Sequence, residues 1–211
     1  MSVFVKICGM CSRQDLESVA ALSPDAMGFV FWEKSKRYVN PAAVAEWTRD
    51  FDRPILKVGV FVDPEPEQVL RIAGETGLDV IQAHFFQSLE KRAAFFPMIG
   101  KKYKAWMALC LGRDPEPADG ADRVDAYLLD SYSQQSPGGT GMTNDWKAAR
   151  VFVEHSAKPL LLAGGLNPGN VADAVRQVRP WGVDVSSGVE ERVGKKDISL
   201  VKAFIEQCRS I

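Results

Sequence analysis

The chain has 211 residues and a formal net charge of −1, with 46% hydrophobic and 25% charged residues. This length and composition are typical of one globular domain with a large core, and the balanced charge argues against a nucleic-acid partner. No apolar run is long enough to cross a bilayer and no secretory leader pattern is present, so we expect a cytoplasmic protein with no membrane partner. Four cysteines in a chain of this length do not form a disulfide framework.

Apolar strands and helical segments alternate along the chain, with short connections. We predict eight strands, at residues 3–7, 26–31, 55–62, 78–82, 103–109, 126–129, 159–163 and 183–185. We predict helices at 12–22, 88–96, 145–154, 170–178 and 198–208, and after Asn40-Pro41 and Asp63-Pro64. Segment 112–122 is rich in Pro, Asp and Gly and predicts a loop. Eight β-then-α units favour a single α/β domain, residues 1–211, closed into a (β/α)₈ or TIM barrel.

Two turns of small residues follow the last two predicted strands. Gly164 and Gly165 follow the first of them, and Ser186, Ser187 and Gly188 follow the second. Small residues allow a backbone to approach a ligand closely and to direct several N–H groups at one point. Because (β/α)₈ barrels bind phosphate after strands seven and eight, we interpret these turns as phosphate-binding loops rather than plain connections.

Polar side chains at the carboxyl ends of barrel strands face the site of such a fold. Cys8, His84, Asp130 and Asp184 lie at or near predicted strand ends, and Arg37 lies in a basic loop after the second strand. A thiol and a carboxylic acid that face each other across a small sugar provide a base and an acid. The helix predicted after Cys8 favours its thiolate, and Arg37 suits bidentate binding of a carboxylate.

Each of these residues also fits a structural role. A single cysteine is often an inert core residue, an Asp after a strand is often a turn residue, and a basic loop is often a solvated surface. Cys8 and Cys11 form a C-x-x-C pattern, so a dithiol oxidoreductase stays possible. That function would not explain the glycine turns after the last two strands. His84 and His155 are isolated, so we predict no metal site.

The chain resembles one family in motifs that run in order along nearly its whole length. The residues that carry the resemblance are Lys6-Ile-Cys-Gly9, Gly28-Phe-Val-Phe31, Ser35-Lys-Arg-Tyr-Val39, Gly59-Val-Phe61, Gln82-Ala-His84, Leu128-Leu-Asp130, Gly138-Gly-Thr-Gly141, Leu162-Ala-Gly-Gly-Leu-Asn-Pro168 and Gly182-Val-Asp-Val-Ser-Ser-Gly-Val-Glu190. These motifs are similar to those of the phosphoribosylanthranilate isomerases. The first and last motifs are the most specific.

The resemblance implies an Amadori rearrangement of N-(5-phosphoribosyl)anthranilate in tryptophan biosynthesis, in a (β/α)₈ fold. It implies that Asp130 is the general acid, that Cys8 is the general base and that Arg37 holds the anthranilate carboxylate. It also implies a phosphate site at the small residues after strands seven and eight, and a supporting role for Asp184 near the ribose. Proton transfers suffice for this rearrangement, so we expect no cofactor, and the expected partner is a small phosphoribosyl substrate bound by a monomer or homodimer.

The chain departs from the family pattern at a few positions. Cys11 stands where Thr is usual, which leaves Ser12 to cap the first helix. Phe85 follows His84 where Gly is usual, and its bulk either narrows the site or packs the outer helix. Met142 and Asn144 replace a more usual basic residue and an aromatic. Two alternatives stay open: a phosphoribosyl isomerase of histidine biosynthesis and a non-catalytic phosphosugar-binding barrel.

Overall fold

Eight parallel strands close into a barrel in the order in which they occur along the chain. The structure, a computed structural model, describes residues 3–85, 89–111, 123–130 and 146–211. The strands are β1 Phe4–Cys8, β2 Ala26–Val30, β3 Leu56–Val62, β4 Val80–His84, β5 Lys104–Cys110, β6 Ala126–Asp130, β7 Leu160–Ala163 and β8 Gly182–Val185. β8 pairs with β1, from Phe4 opposite Gly182 to Ile7 opposite Val185, and this pairing closes the ring. The predicted TIM-barrel fold is therefore confirmed.

Helices follow most of the strands on the outside of the barrel. They are α1 Arg13–Ala20, α2 Pro41–Thr48, α3 Pro66–Thr76, α4 Leu89–Ile99, α5 Trp146–His155, α6 Val171–Val178 and α7 Ile198–Arg209. The predicted loop 112–122 lies outside the described residues. No helix in the described ranges is long and apolar enough to span a membrane.

Capping side chains set where several helices begin. The Asn40 side chain accepts the Ala42 N–H at 2.9 Å, and Pro41 occupies the first helical position, as the sequence predicts. The third helix begins at Pro66 and not directly after Asp63-Pro64. Asp63 has a left-handed backbone (φ 44°), so the chain turns there before the helix starts.

One element between β8 and α7 was not predicted. A short 3₁₀ turn at Ser187–Val189 leads into a small antiparallel hairpin, β9 Glu190–Arg192 and β10 Lys195–Lys196. Gly194 supplies the left-handed residue at its turn (φ 79°). The polar sequence of this stretch resembles an ordinary loop, so only its tertiary contacts reveal the hairpin.

The barrel has two apolar layers. Outward-facing strand residues such as Phe29, Ile81 and Leu162 pack under the helices in one large cluster. Inward-facing residues fill the lumen, among them Val58, Trp106, Leu128 and Leu161. Because side chains alternate along a strand, the residues that continue the inward series to the carboxyl ends of the strands open into the barrel mouth.

Candidate active site

The predicted acid and base lie at the same end of the barrel. Cys8 is the last residue of β1 and Asp130 is the last residue of β6. Asp130 continues the inward series of Ala126 and Leu128, so its side chain faces the barrel mouth. Going round the ring from β1 through β8 and β7 to β6, three strand-to-strand steps separate the two residues. The thiol and the carboxyl therefore approach the mouth from opposite sides.

The Cys8 thiol is buried at the mouth, with 7% of the residue exposed. Burial raises its pKa above the ordinary value, Lys6 lowers it, Asp184 raises it and Lys196 lowers it, and the net direction is upward. This is opposite to the helix-dipole expectation from the sequence. The cause of the upward shift is burial of the sulfur, and α1 begins only at Arg13, too far along the chain for its N-terminal dipole to act strongly on Cys8.

Arg37 is held in a fixed orientation by the hairpin. Its Nε and Nη2 donate to the two carboxylate oxygens of Glu190 at 2.8 and 2.7 Å. The ammonium of Lys196, fully buried, donates to the same carboxylate at 3.0 Å and to the Ser186 carbonyl at 3.1 Å. Although burial acts to raise the pKa of Glu190, hydrogen bonds and charge from Arg37 and Lys196 bring it below the usual value. A charge network thus links the Arg37 loop to the turn after β8.

His84 ends β4 on the inward face of the barrel, and its Nε2 lies 3.2 Å from Nε2 of Gln82. Gln82 is 2% exposed, and its Oε1 is a buried acceptor without a hydrogen-bond partner among the described residues. His84 is therefore at the mouth, on the arc of strands between Cys8 and Asp130. Asp184, in β8, is half-buried, and its Oδ1 accepts from the Lys6 ammonium at 2.8 Å.

The two predicted phosphate loops lie side by side. Gly164 and Gly165 both have left-handed backbones, with φ of 88° and 64°. A Cβ on Gly188 would lie 1.9 Å from the Leu166 carbonyl oxygen, so the loop after β8 packs directly on the loop after β7. The Ser186 hydroxyl is buried without a hydrogen-bond partner in the described ranges, and it lies toward β1, where a Cβ on Gly9 would meet its oxygen at 3.0 Å. The arrangement leaves a narrow, small-residue surface at one side of the barrel mouth.

A family model described as N-(5'phosphoribosyl)anthranilate (PRA) isomerase matches residues 5–207. The chain belongs to this family. A curated relative from Geobacter sp. (strain M21), an N-(5'-phosphoribosyl)anthranilate isomerase, is 40% identical over 98% of each chain. The crystal structure of the Thermotoga maritima phosphoribosylanthranilate isomerase matches with a TM-score of 0.86 and 36% identity, covering 99% of this chain and 100% of that one.

A second solved phosphoribosylanthranilate isomerase was determined in complex with reduced 1-(o-carboxyphenylamino)-1-deoxyribulose 5-phosphate. It matches with a TM-score of 0.79 and 32% identity, over 99% of this chain and 100% of the other. These full-length matches confirm the family resemblance that the sequence motifs indicate.

Two departures from the family pattern find a structural explanation. Ser12 is the N-cap of α1 and its hydroxyl accepts the Asp15 N–H at 3.1 Å, so the helix keeps a cap despite Cys11. Phe85 is buried and packs edge-on against Phe95 and Phe96 at ring distances of 5.4 and 5.9 Å, so it packs the outer helix. Met142 and Asn144 lie outside the described residues.

Three charged residues that hold the site were not predicted from the sequence. Lys6, Glu190 and Lys196 are all strongly buried and make the ion pairs that hold Asp184 and Arg37. One signal was available for Lys6: it is a charged residue inside an apolar strand, two positions before Cys8 and on the same face. No sequence pattern predicts the ion pair of Arg37 with Glu190, or the place of Lys196 beside it, because Arg37 is far from both residues along the chain.

Proposed function

We propose that this chain isomerises N-(5'-phosphoribosyl)anthranilate to 1-(2-carboxyphenylamino)-1-deoxy-D-ribulose 5-phosphate, the Amadori rearrangement of L-tryptophan biosynthesis. The observation that carries the proposal is the family match over residues 5–207, within which Cys8 and Asp130 close two strands at one end of the barrel. A thiol and a carboxyl on opposite sides of one mouth suit a reaction made of proton transfers alone.

In the proposed first step, Asp130 donates a proton to the ribose ring oxygen. The bond between this oxygen and C1 breaks, and the nitrogen lone pair forms a protonated Schiff base at C1. In the second step, the Cys8 thiolate removes the C2 proton, and the electrons of that C–H bond neutralise the iminium to give an enolamine. The enolamine then tautomerises to the C2 ketone, so no electron acceptor and no cofactor enters.

The remaining residues are proposed to bind the two anionic ends of the substrate. The small residues Gly164, Gly165, Ser186, Ser187 and Gly188 form the phosphate site, because they allow close backbone approach and include the Ser186 hydroxyl, which is buried without a hydrogen-bond partner among the described residues. Glu190 occupies the Nε and one Nη2 hydrogen of Arg37, and the other N–H groups of the guanidinium suit the anthranilate carboxylate. His84 and Asp184 are proposed to line the ribose site.

The decisive measurement is the loss of anthranilate fluorescence when purified protein meets its substrate. We expect Asp130→Asn and Cys8→Ser each to lower kcat by about 10²–10⁴-fold, the usual contribution of one acid or base group. The matched control is Cys11→Ser, because the Cys11 sulfur lies 3.5 Å from the Gly9 and Arg37 carbonyl oxygens and serine keeps a hydrogen-bond donor at this place. Turnover near the normal rate in either the Asp130 or the Cys8 variant contradicts the mechanism.

Two further arms of the assay address the alternatives. A phosphosugar-binding barrel without activity leaves the fluorescence in place, whereas the proposed enzyme removes it. Competition by the histidine-pathway substrate tests whether a second phosphoribosyl compound uses the same mouth. A cytoplasmic location, a single-domain chain and a monomer or homodimer complete the proposal, and sedimentation of the purified protein measures the oligomeric state.

A further inference from the structure

The proposed steps leave a buried lysine in the barrel lumen without a role. Lys6 lies in the middle of β1 and is 0% exposed. It is two residues before Cys8, so both side chains project from the same face of the strand into the barrel. Burying an ammonium group is costly unless partners compensate it, and a Met or Leu would fill the same space without that cost.

The partner of this lysine is fixed by the closure of the barrel. Lys6 lies opposite Asp184 in the pairing of β1 with β8, and the Lys6 ammonium donates to the Asp184 carboxylate at 2.8 Å. Burial acts to lower the pKa of Lys6, but the charges of Asp184 and Cys8 outweigh it and raise the pKa above the ordinary value. Lys6 therefore stays protonated at neutral pH and does not itself act as a base.

A glycine on the neighbouring strand leaves room for the lysine and the thiol together. Cys8 lies opposite Gly28 in the pairing of β1 with β2. A Cβ on Gly28 would lie 2.7 Å from the Cys8 sulfur and 3.3 Å from the Lys6 nitrogen. The sulfur and the ammonium thus occupy the same small gap beside a bare Cα, where any larger residue would displace one of them.

Among the described residues, charged groups from several surrounding elements act on the Cys8 sulfur. Lys6 comes from β1 itself, Asp184 from β8, Lys196 from the hairpin, and Arg37 from the loop after β2. Lys196 and Arg37 share the carboxylate of Glu190, which offsets part of their charge. Lys6 is the largest of the favourable influences on the thiolate.

We propose that Lys6 is a positioning residue for catalysis: its buried ammonium supplies the fixed positive charge against which the Cys8 thiolate forms, and Asp184 holds that ammonium in place. This inference rests on the proposed function, since only a deprotonated sulfur removes the C2 proton. The Lys6 ammonium keeps its own protons throughout, and the proton taken from C2 ends on the Cys8 sulfur.

The test measures ionisation of Cys8 without substrate, by the pH dependence of its alkylation with iodoacetamide. Alkylation is followed on the Cys8 peptide by mass spectrometry, in a Cys11→Ser background so that the peptide carries one thiol. The midpoint of the pH curve reports the thiol pKa, and a change in access alters the rate but not the midpoint. The buried Cys208 thiol, whose pKa burial raises to about 12, serves as an internal marker of intact folding because it reacts only if the protein opens.

Opposite shifts are expected from the two members of the ion pair. Lys6→Met should move the midpoint up by at least about one pH unit and lower kcat/KM at neutral pH at least about tenfold, because one pKa unit is a tenfold change in thiolate. Asp184→Asn should move the midpoint down, because it removes a negative charge while the Asn side-chain oxygen still accepts the hydrogen bond that holds the Lys6 ammonium. The double variant should lie between the two. The matched control is Lys57→Met, which breaks the Lys57–Asp79 pair at the other end of the barrel and should leave the midpoint unchanged.

A purely structural ion pair gives a different result. It predicts lower stability in the Lys6 variant and an unmoved midpoint, and that outcome overturns the proposal, as does an upward shift in Asp184→Asn. If Lys6→Met alone fails to fold, the wild type, Asp184→Asn and the neutral double variant still show in which direction each charge moves the midpoint of Cys8 alkylation. Midpoint shifts as expected in a protein that does not turn over the substrate would reject the proposed function and leave the electrostatic role of Lys6 standing.

Discussion

At the scale of single residues, the orientation of Arg37 depends on Glu190. Both oxygens of the Glu190 carboxylate accept from the guanidinium, and the buried Lys196 ammonium holds the same carboxylate from the other side. Bidentate pairing fixes the plane of a guanidinium more tightly than a single contact does. The guanidinium proposed to bind the anthranilate carboxylate is therefore a pre-oriented donor group and not a mobile surface side chain.

We predict that Glu190→Gln raises KM for the phosphoribosyl substrate about tenfold, with a smaller effect on kcat, because it weakens charged hydrogen bonds that orient Arg37. Steady-state kinetics by the fluorescence assay measure both constants. Glu191→Gln, the exposed neighbour in the same hairpin, is the matched control and should leave KM unchanged. Equal KM values in the two variants would mean that Arg37 keeps its orientation without Glu190.

At the scale of elements, the loops after β7 and β8 support each other through backbone contact. The Gly188 Cα faces the Leu166 carbonyl so closely that no Cβ fits between them. Because the contact is with the backbone and not with a flexible side chain, a Cβ on Gly188 would force one of the two loops to move. The proposed phosphate site is thus built from two turns that hold their shape together.

We predict that Gly188→Ala lowers the free energy of unfolding by about 1–3 kcal/mol, the usual cost of forcing extra volume into a packed site. It should also weaken binding of the phosphoribosyl substrate. Gly74→Ala is the contrasting variant: Gly74 lies inside α3, and its Cβ would meet only the Tyr103 hydroxyl at 4.0 Å. Removing a helix-interior glycine should raise the free energy of unfolding by about 0.5–1 kcal/mol. Urea denaturation measures both, and equal effects of the two substitutions would contradict the packing argument.

At the scale of the whole molecule, the two ends of the barrel have different tasks. The amino-terminal end is held by three carboxylates, since Asp25, Asp79 and Asp125 accept the backbone N–H groups of Val5, Lys57 and Ala105 at 2.7–2.8 Å. Each of these aspartates precedes an even-numbered strand and ties it to the odd-numbered strand before it. Phe4 stacks on Trp181 at 4.4 Å at the same end, and Trp106 packs edge-on against both. The proposed chemistry lies wholly at the carboxyl-terminal end.

This division predicts a variant that loses stability but not activity. Trp181→Ala removes the ring stacked on Phe4 and should lower the free energy of unfolding by about 1–2 kcal/mol, less than for a fully buried Trp because the residue is 42% exposed. Thermal unfolding should move to lower temperature, while kcat/KM at 25 °C stays within about twofold of the wild type. A large loss of kcat/KM in the folded variant would show that the two ends are coupled.

The sequence predicts those features that depend on local order. Alternating apolar strands and helices identify the eight units, and the chain closes them into a barrel in sequence order. Asn40-Pro41 and Ser12 mark helix starts because capping is a contact between near neighbours. Hairpin residues 190–196 escaped prediction, because their pairing is short and depends on buried charges from distant segments.

For the site, the residue types at the strand ends can be read from the sequence: the thiol of Cys8, the carboxyl of Asp130 and the small residues after β7 and β8. Each of these ends a strand or follows one directly, and the parallel order of the strands brings all of their ends to one rim. The electrostatics of the site come from the folded ring. Lys6 meets Asp184 when β8 closes on β1, and Arg37, in the loop after β2, meets Glu190 in the hairpin after β8. Ionisation and orientation depend on burial and on charges distant in sequence, and these charges become neighbours only when the ring is closed.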